Sequence, residues 1–144
     1  MISVKIKRLR ESAIIPTKAH ASDAGWDFYA PTDMETATIW PHGRHIIKTG
    51  ISLDIPEGWY LQIMSRSGLA SKYIDARAGV IDCSYRGEIG IMLHNDHWYS
   101  EREIKAGDKI AQGIFIPVPV VLWNEVDSLD ETERGDSGYG SSGR

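Results

Sequence analysis

The residues best equipped for chemistry stand close together in Ala78-Gly79-Val80-Ile81-Asp82-Cys83-Ser84-Tyr85-Arg86-Gly87. An acid and an aromatic three residues apart on a tight bend can face one pocket. Asp82 can act there as a hydrogen-bond acceptor or a general base, with Tyr85 as a wall against a small planar ligand. Gly79 leaves the backbone open, so a ligand can lie close to the peptide groups and be read by them. The bend also reads as an ordinary turn with Asp in it, because Asp favours turns for its own reasons. The apolar run 78–81 and the alternating run 88–93 on either side predict the two arms of a β-hairpin.

Three other places carry chemical potential. In Ser65-Arg66-Ser67-Gly68-Leu69-Ala70, small residues around an arginine lead into a short helix. Amides, a hydroxyl and a guanidinium there can hold an anion. The same residues also suit a plain helix cap with Ser67 as N-cap. In Gly25-Trp26-Asp27-Phe28-Tyr29, alternation on a strand turns Asp27 away from Trp26 and Phe28, either to a polar inner site or to the surface. The stretch Arg134-Gly135-Asp136-Ser137-Gly138-Tyr139-Gly140-Ser141-Ser142-Gly143 is rich in glycine and serine, which suits either a floppy tail or a flap that wraps phosphate. No Lys-Ser/Thr pair follows its glycines, so it is not a Walker A loop.

The elements that must position these groups are strands. Residues 2–7 alternate apolar and polar, with one face wet. Residues 44–55 and 58–64 read as further strands, with Pro56-Glu57-Gly58 turning the chain between them. Gly107-Asp108-Lys109-Ile110-Ala111-Gln112 is a turn running into a strand. Pro117 and Pro119 argue against a helix or a central strand over the apolar run 114–123, whose exposure would suit a subunit contact. No segment sustains a 3.6-residue period, so the fold class is all-β. From about Asp127 the composition shifts, predicting one domain over 1–126 and a flexible arm over 127–144.

At 144 residues the chain has one domain's worth of sequence. Its net charge of −4 and pI near 5.7 argue against non-specific nucleic-acid binding. Cys83 is the sole cysteine, so no intrachain disulfide forms, and a reducing, cytoplasmic setting is expected. Neither a signal-like apolar segment near the start nor a run long enough to span a membrane is evident. The pairs His42/His45 and His94/His97 lack cysteine partners and an HExxH pattern, and read as loop histidines rather than metal ligands.

Taken together and in order, five stretches resemble the five motifs of the trimeric deoxyuridine triphosphatase (dUTPase) family. They are 24–28, 65–70, 78–88, 107–112 and 134–143. The resemblance implies a distorted jelly-roll β-barrel, a homotrimer with shared active sites, and Mg²⁺-assisted hydrolysis of dUTP to dUMP and pyrophosphate. That reaction would keep uracil out of DNA and supply dUMP for thymidylate synthesis. It implies that Asp82 holds the 3′-OH and activates water, and that Tyr85 packs under the sugar. The backbone around Gly79 would read uracil. Arg66, Ser67 and Gly68 would hold phosphates, with Gln112 at the α-phosphate. Asp27 would hold the metal through water. Arg134, Gly140, Ser141 and Ser142 would close over the triphosphate, with Tyr139 stacked on the base.

The chain departs from the family pattern at Trp26, Ser84, Gly113, Tyr139 and Ser142, none of which removes a catalytic group. Two other readings remain: a dCTP deaminase-like enzyme of the same fold, and a dUTPase-like protein that acts mainly by binding a protein partner. The intact Asp82/Tyr85 pair and the flap argue against the first.

Overall fold

The computed structural model describes residues 1–136. In chain order these form β1 (Lys5–Arg8), β2 (Trp26–Tyr29), β3 (Ala37–Ile39), β4 (Arg44–Lys48), β5 (Ile51–Asp54) and β6 (Trp59–Met64). After a single turn of helix, α1 (Ser67–Ala70), come β7 (Ile74–Arg77), β8 (Val80–Ile81), β9 (Gly90–Asn95), β10 (Arg102–Ile104) and β11 (Lys109–Pro117). The fold is all-β, of the jelly-roll class. Every pairing is antiparallel. One sheet has the order β2-β11-β6-β8, another β4-β9-β7, and two strand pairs, β1-β5 and β10-β3, flank them. Pairing among the described residues does not close into a continuous barrel.

Period-2 patterning drives these strands, because alternate side chains enter the shared core. Along β9, Ile91, Leu93 and Asn95 are buried and the residues between them are half exposed. They meet Ile47 of β4, Ile74 of β7, Leu61 of β6 and Phe28 of β2 in one apolar core. Asn95 is tolerated at that depth because each of its polar groups is bonded. Its amide donates to the carbonyls of Ile39 (2.9 Å) and Ser100 (2.8 Å), and its oxygen accepts from the His97 N–H. This ties together the loops at one end of the sandwich.

Several sequence expectations are corrected. The arms 78–81 and 88–93 do not pair with each other. β8 joins β6, while β9 lies between β4 and β7. The connecting stretch is too long for a tight hairpin, and it carries the chain from one sheet to the other. The strand expected over 2–7 is β1, and all four of its residues are exposed. β11 runs on to Pro117, because beyond Gly113 it pairs with β6 alone and no second neighbour needs the missing N–H. The N-cap of α1 is Arg66, with no side-chain cap bond, rather than Ser67. His45 and His94 lie within β4 and β9, not in loops. Beyond β11, residues 118–136 form no strand, and Val120, Leu122 and Trp123 are each about nine-tenths exposed. No helix among the described residues is long and apolar enough to cross a membrane.

Candidate active site

Alternation along β2 buries Phe28 in the core and turns Asp27 to the other face. Of the two places open to Asp27, the structure shows the inner polar one: its side chain is only 14% exposed. The register of β2 on β11 sets Asp27 opposite Gln112 and leaves Lys109 beside it. Arg66 stands where β6 gives way to α1, in extended backbone. Its Nε donates to Asp27 Oδ1 at 2.8 Å, and Lys109 Nζ donates to Oδ2 at 2.8 Å. Arg66 Nη1 also donates to the Lys109 carbonyl at 3.3 Å. The bond it donates to Asp27 holds the Lys109 ammonium pKa above its ordinary value, against the burial that opposes it.

The Arg66 loop is fixed from two sides. Gln112 Nε2 donates to the Ser65 carbonyl at 2.9 Å, and Ser65 Oγ accepts from the Ala76 N–H at 2.9 Å. Two cations on one carboxylate leave a net positive charge, and the remaining Arg66 N–H groups, which have no partner among the described residues, can bind an anion. Next to Gln112, Gly113 is packed against the core: a Cβ there would stand 2.6 Å from the Phe28 ring and 2.8 Å from Leu61 Cδ1. The Phe28 ring thus fills space that a large aliphatic at 113 would need.

The second group is the turn after β8. Tyr85 N–H donates to the Asp82 carbonyl at 3.1 Å and closes the bend. The bend is anchored at its far end. Arg86 pairs with the Asp54 carboxylate and donates to the Cys83 carbonyl at 2.5 Å, while Ser52 Oγ donates to the Arg86 carbonyl at 2.8 Å. The hydrogen bond from Lys5 and the nearby Arg86 charge hold the Asp54 carboxyl below the usual range. Glu88 accepts from Arg10 (2.9 Å) and from the Gly50 N–H (2.8 Å). Tyr85 hydroxyl donates back to the Glu88 carbonyl at 3.0 Å. Asp82 is left exposed, and its carboxylate has no partner among the described residues. A rigid frame thus presents one uncommitted carboxylate.

Gly79 serves a purpose the sequence did not reveal. Its carbonyl accepts from the Ile63 N–H at 2.7 Å, and a Cβ would overlap the Ile63 carbonyl oxygen and stand 2.8 Å from Gln62 Nε2. The group pressed against Gly79 is therefore β6. Just before it, Ala78 sits in the left-handed region at φ 54°.

No side-chain hydrogen bond or ion pair among the described residues joins the Asp82–Tyr85 turn to the Asp27–Arg66–Lys109 group. Ser67 and Gly68 lie in the first turn of α1, next to Arg66. Arg134 lies in the exposed stretch after β11. Tyr139, Gly140, Ser141 and Ser142 fall outside the described residues. Among the described residues no three acid, histidine or cysteine side chains gather as a metal cage, and both Asp27 oxygens already accept from cations. Magnesium suits such a chain only if substrate oxygens supply most of its ligands. Lys109 is the site residue to which sequence reasoning assigned no role. It lay within the 107–112 motif, but only the β2–β11 register reveals its partner.

A family profile described as dUTPase matches residues 11–143. The deoxyuridine 5'-triphosphate nucleotidohydrolase of Arabidopsis thaliana is 46% identical, over 96% of this chain and 82% of its own length. The Staphylococcus bacteriophage 80alpha dUTPase, solved with dUPNHPP, is 30% identical and superposes with a TM-score of 0.90, covering 100% of both chains. A dUTPase from phage phi11 of S. aureus, whose structure shows a coordinated structural Mg(II) ion, is 27% identical with a TM-score of 0.81, over 90% of this chain and 100% of its own. A profile spanning both groups of site residues, and a relative 46% identical over 96% of this chain, place this chain in the dUTPase family.

Proposed function

We propose that this chain hydrolyses dUTP to dUMP and pyrophosphate. Water attacks the α-phosphate, with Asp82 as the general base. The observation that carries the proposal is the uncommitted Asp82 carboxylate, held out on a turn anchored through Arg86 and Glu88, in a chain of this family. Hydrolysis of a phosphoanhydride needs an oriented water and neutralised charge, not a covalent intermediate. Asp82 orients the water and takes its proton. Tyr85, folded over its own turn, forms the wall under the sugar, where a ribose 2′-OH would collide. The backbone around Gly79 reads uracil. Arg66, Ser67 and Gly68 hold the phosphates, and Gln112 lies at the α-phosphate.

The two groups of side chains belong to one site in this proposal, completed across subunits of a homotrimer. That no side-chain hydrogen bond or ion pair joins them among the described residues supports that reading, as does the exposed apolar run at 118–123. Residues 127–144 act as an arm, with Arg134, Tyr139, Gly140, Ser141 and Ser142 closing over the bound nucleotide and excluding water. Magnesium would be held mainly by the triphosphate, and Asp27 is the residue that would hold it through water. Bound there, it would neutralise phosphate charge.

The test is Asp82→Asn. It should lower turnover by about 10²–10⁴-fold while dUPNHPP binds with affinity close to that of the unaltered chain. Normal turnover in this variant would remove Asp82 as the base.

A further inference from the structure

Among the described residues, 82–89 belong to no strand, since β8 ends at Ile81 and β9 begins at Gly90. Side chains must therefore help to hold the turn that carries Asp82 and Tyr85. Arg86 is placed to do so. Its Nη1 donates to the Cys83 carbonyl at 2.5 Å and to the Tyr85 carbonyl at 3.2 Å. The guanidinium thus folds back on the turn and clamps two of its peptide groups.

The clamp is itself held by β5. Alternation puts Ser52 and Asp54, two residues apart on that strand, on one face. Ser52 Oγ donates to the Arg86 carbonyl at 2.8 Å, and Arg86 Nη2 donates to Asp54 Oδ1. One strand therefore grips Arg86 by both its backbone and its head. A guanidinium is a planar fork, so fixing Nη2 on Asp54 also fixes where Nη1 points. Lys5, opposite Asp54 in the β1–β5 register, donates to Oδ2 at 3.1 Å. That bond, with the Arg86 charge, keeps the carboxylate ionised at neutral pH and its grip on Arg86 charge-assisted. Without Asp54 the Arg86 side chain, 54% exposed, has only neutral carbonyls among the described residues to hold its head against water.

We propose that Asp54 is a positioning residue for turnover: acting through Arg86, it sets the turn so that Asp82 meets the attacking water and Tyr85 closes on the sugar. The role rests on the parts assigned to Asp82 and Tyr85 above. Asp54 touches neither substrate nor water in it. Its loss loosens the turn, and a base or a wall set slightly wrong loses rate and sugar selection together.

The test measures kcat and KM for dUTP and UTP in the full-length protein and its variants. Asp54→Ala should lower kcat for dUTP about 10-fold with KM within about threefold, and should lower the preference for dUTP over UTP about as much. Asp54→Glu keeps the charge and should recover most of both. Lys5→Met removes the other partner of Asp54 and should stay within about twofold of the unaltered chain. Made on top of Arg86→Ala, Asp54→Ala should add less than about twofold, because the pair acts as one unit. The urea midpoint should move little, since both side chains are partly exposed. Unchanged kcat and sugar preference in Asp54→Ala, or an equal loss on the Arg86→Ala background, would overturn the positioning role and leave the reaction in place. A fall in the urea midpoint alone would reduce the pair to a structural tie. An unaltered chain that leaves dUTP intact would instead remove the reaction, and the role with it.

Discussion

Asp27 and Lys109, drawn side by side by the register of β2 on β11, share a 2.8 Å hydrogen bond, and Arg66 takes the other carboxylate oxygen at the same distance. This one acid holds together the first strand of the site sheet, the loop leading to α1 and the start of β11. Asp27→Asn leaves two cations facing each other over a neutral amide. It should cost about 1–3 kcal/mol in urea unfolding. An Arg66→Met change made on top should cost less than it does in the unaltered chain, because the two side chains share one interaction.

The same group sets an alkaline limit. Lys109 has its pKa raised by Asp27, so its charge contributes stability fully below the ordinary lysine value of 10.5. That contribution disappears as pH climbs through the raised folded value. Between pH 6 and 9 the difference in stability between the unaltered chain and Lys109→Met should stay flat, and above about pH 10.5 it should shrink. Urea midpoints of both proteins across that range check it. A gap that widens with pH contradicts the sign.

Gly79 should tolerate no side chain. Alanine there would strike the β6 backbone at Ile63, so Gly79→Ala should destabilise by about 1–3 kcal/mol and also weaken dUTP binding. Nucleotide binding measured below the unfolding range separates the two effects. Full stability in this variant would mean that β8 can shift away from β6 without cost.

Removing residues 134–144 should lower kcat/KM by about 100-fold or more, since positioning over the triphosphate would be lost. The urea midpoint should stay unchanged, because the core formed by the described residues draws on none beyond Phe115. Full activity in the shortened chain would remove the arm from the proposed site, and unfolding would make the arm structural.

The sequence carried the local half of this structure. Alternation in 26–29 turned Asp27 away from Trp26 and Phe28, as the strand shows, but did not say that Phe28 enters the core while Trp26 stays exposed. It could not say what Asp27 meets, since Arg66 and Lys109 arrive through strand register, and register between distant strands leaves no mark in either strand alone. The same reason hid the separation of β8 from β9. Two adjacent apolar runs look like a hairpin until their real partners, β6 on one side and β4 and β7 on the other, are seen. Gly79 was legible as a special position, but the neighbour it makes room for was not. Pro117 was legible as a limit on pairing, and it sits where β11 has one neighbour rather than two.

The central claim is best tested by measuring pyrophosphate release from dUTP, dTTP, UTP and dCTP, each with Mg²⁺ and again with excess chelator. The account predicts release from dUTP alone, abolished by chelation: uracil is read at Gly79, the sugar is checked by Tyr85, and Asp82 drives the attack. No release from dUTP, or equal release from UTP and dTTP, would contradict it.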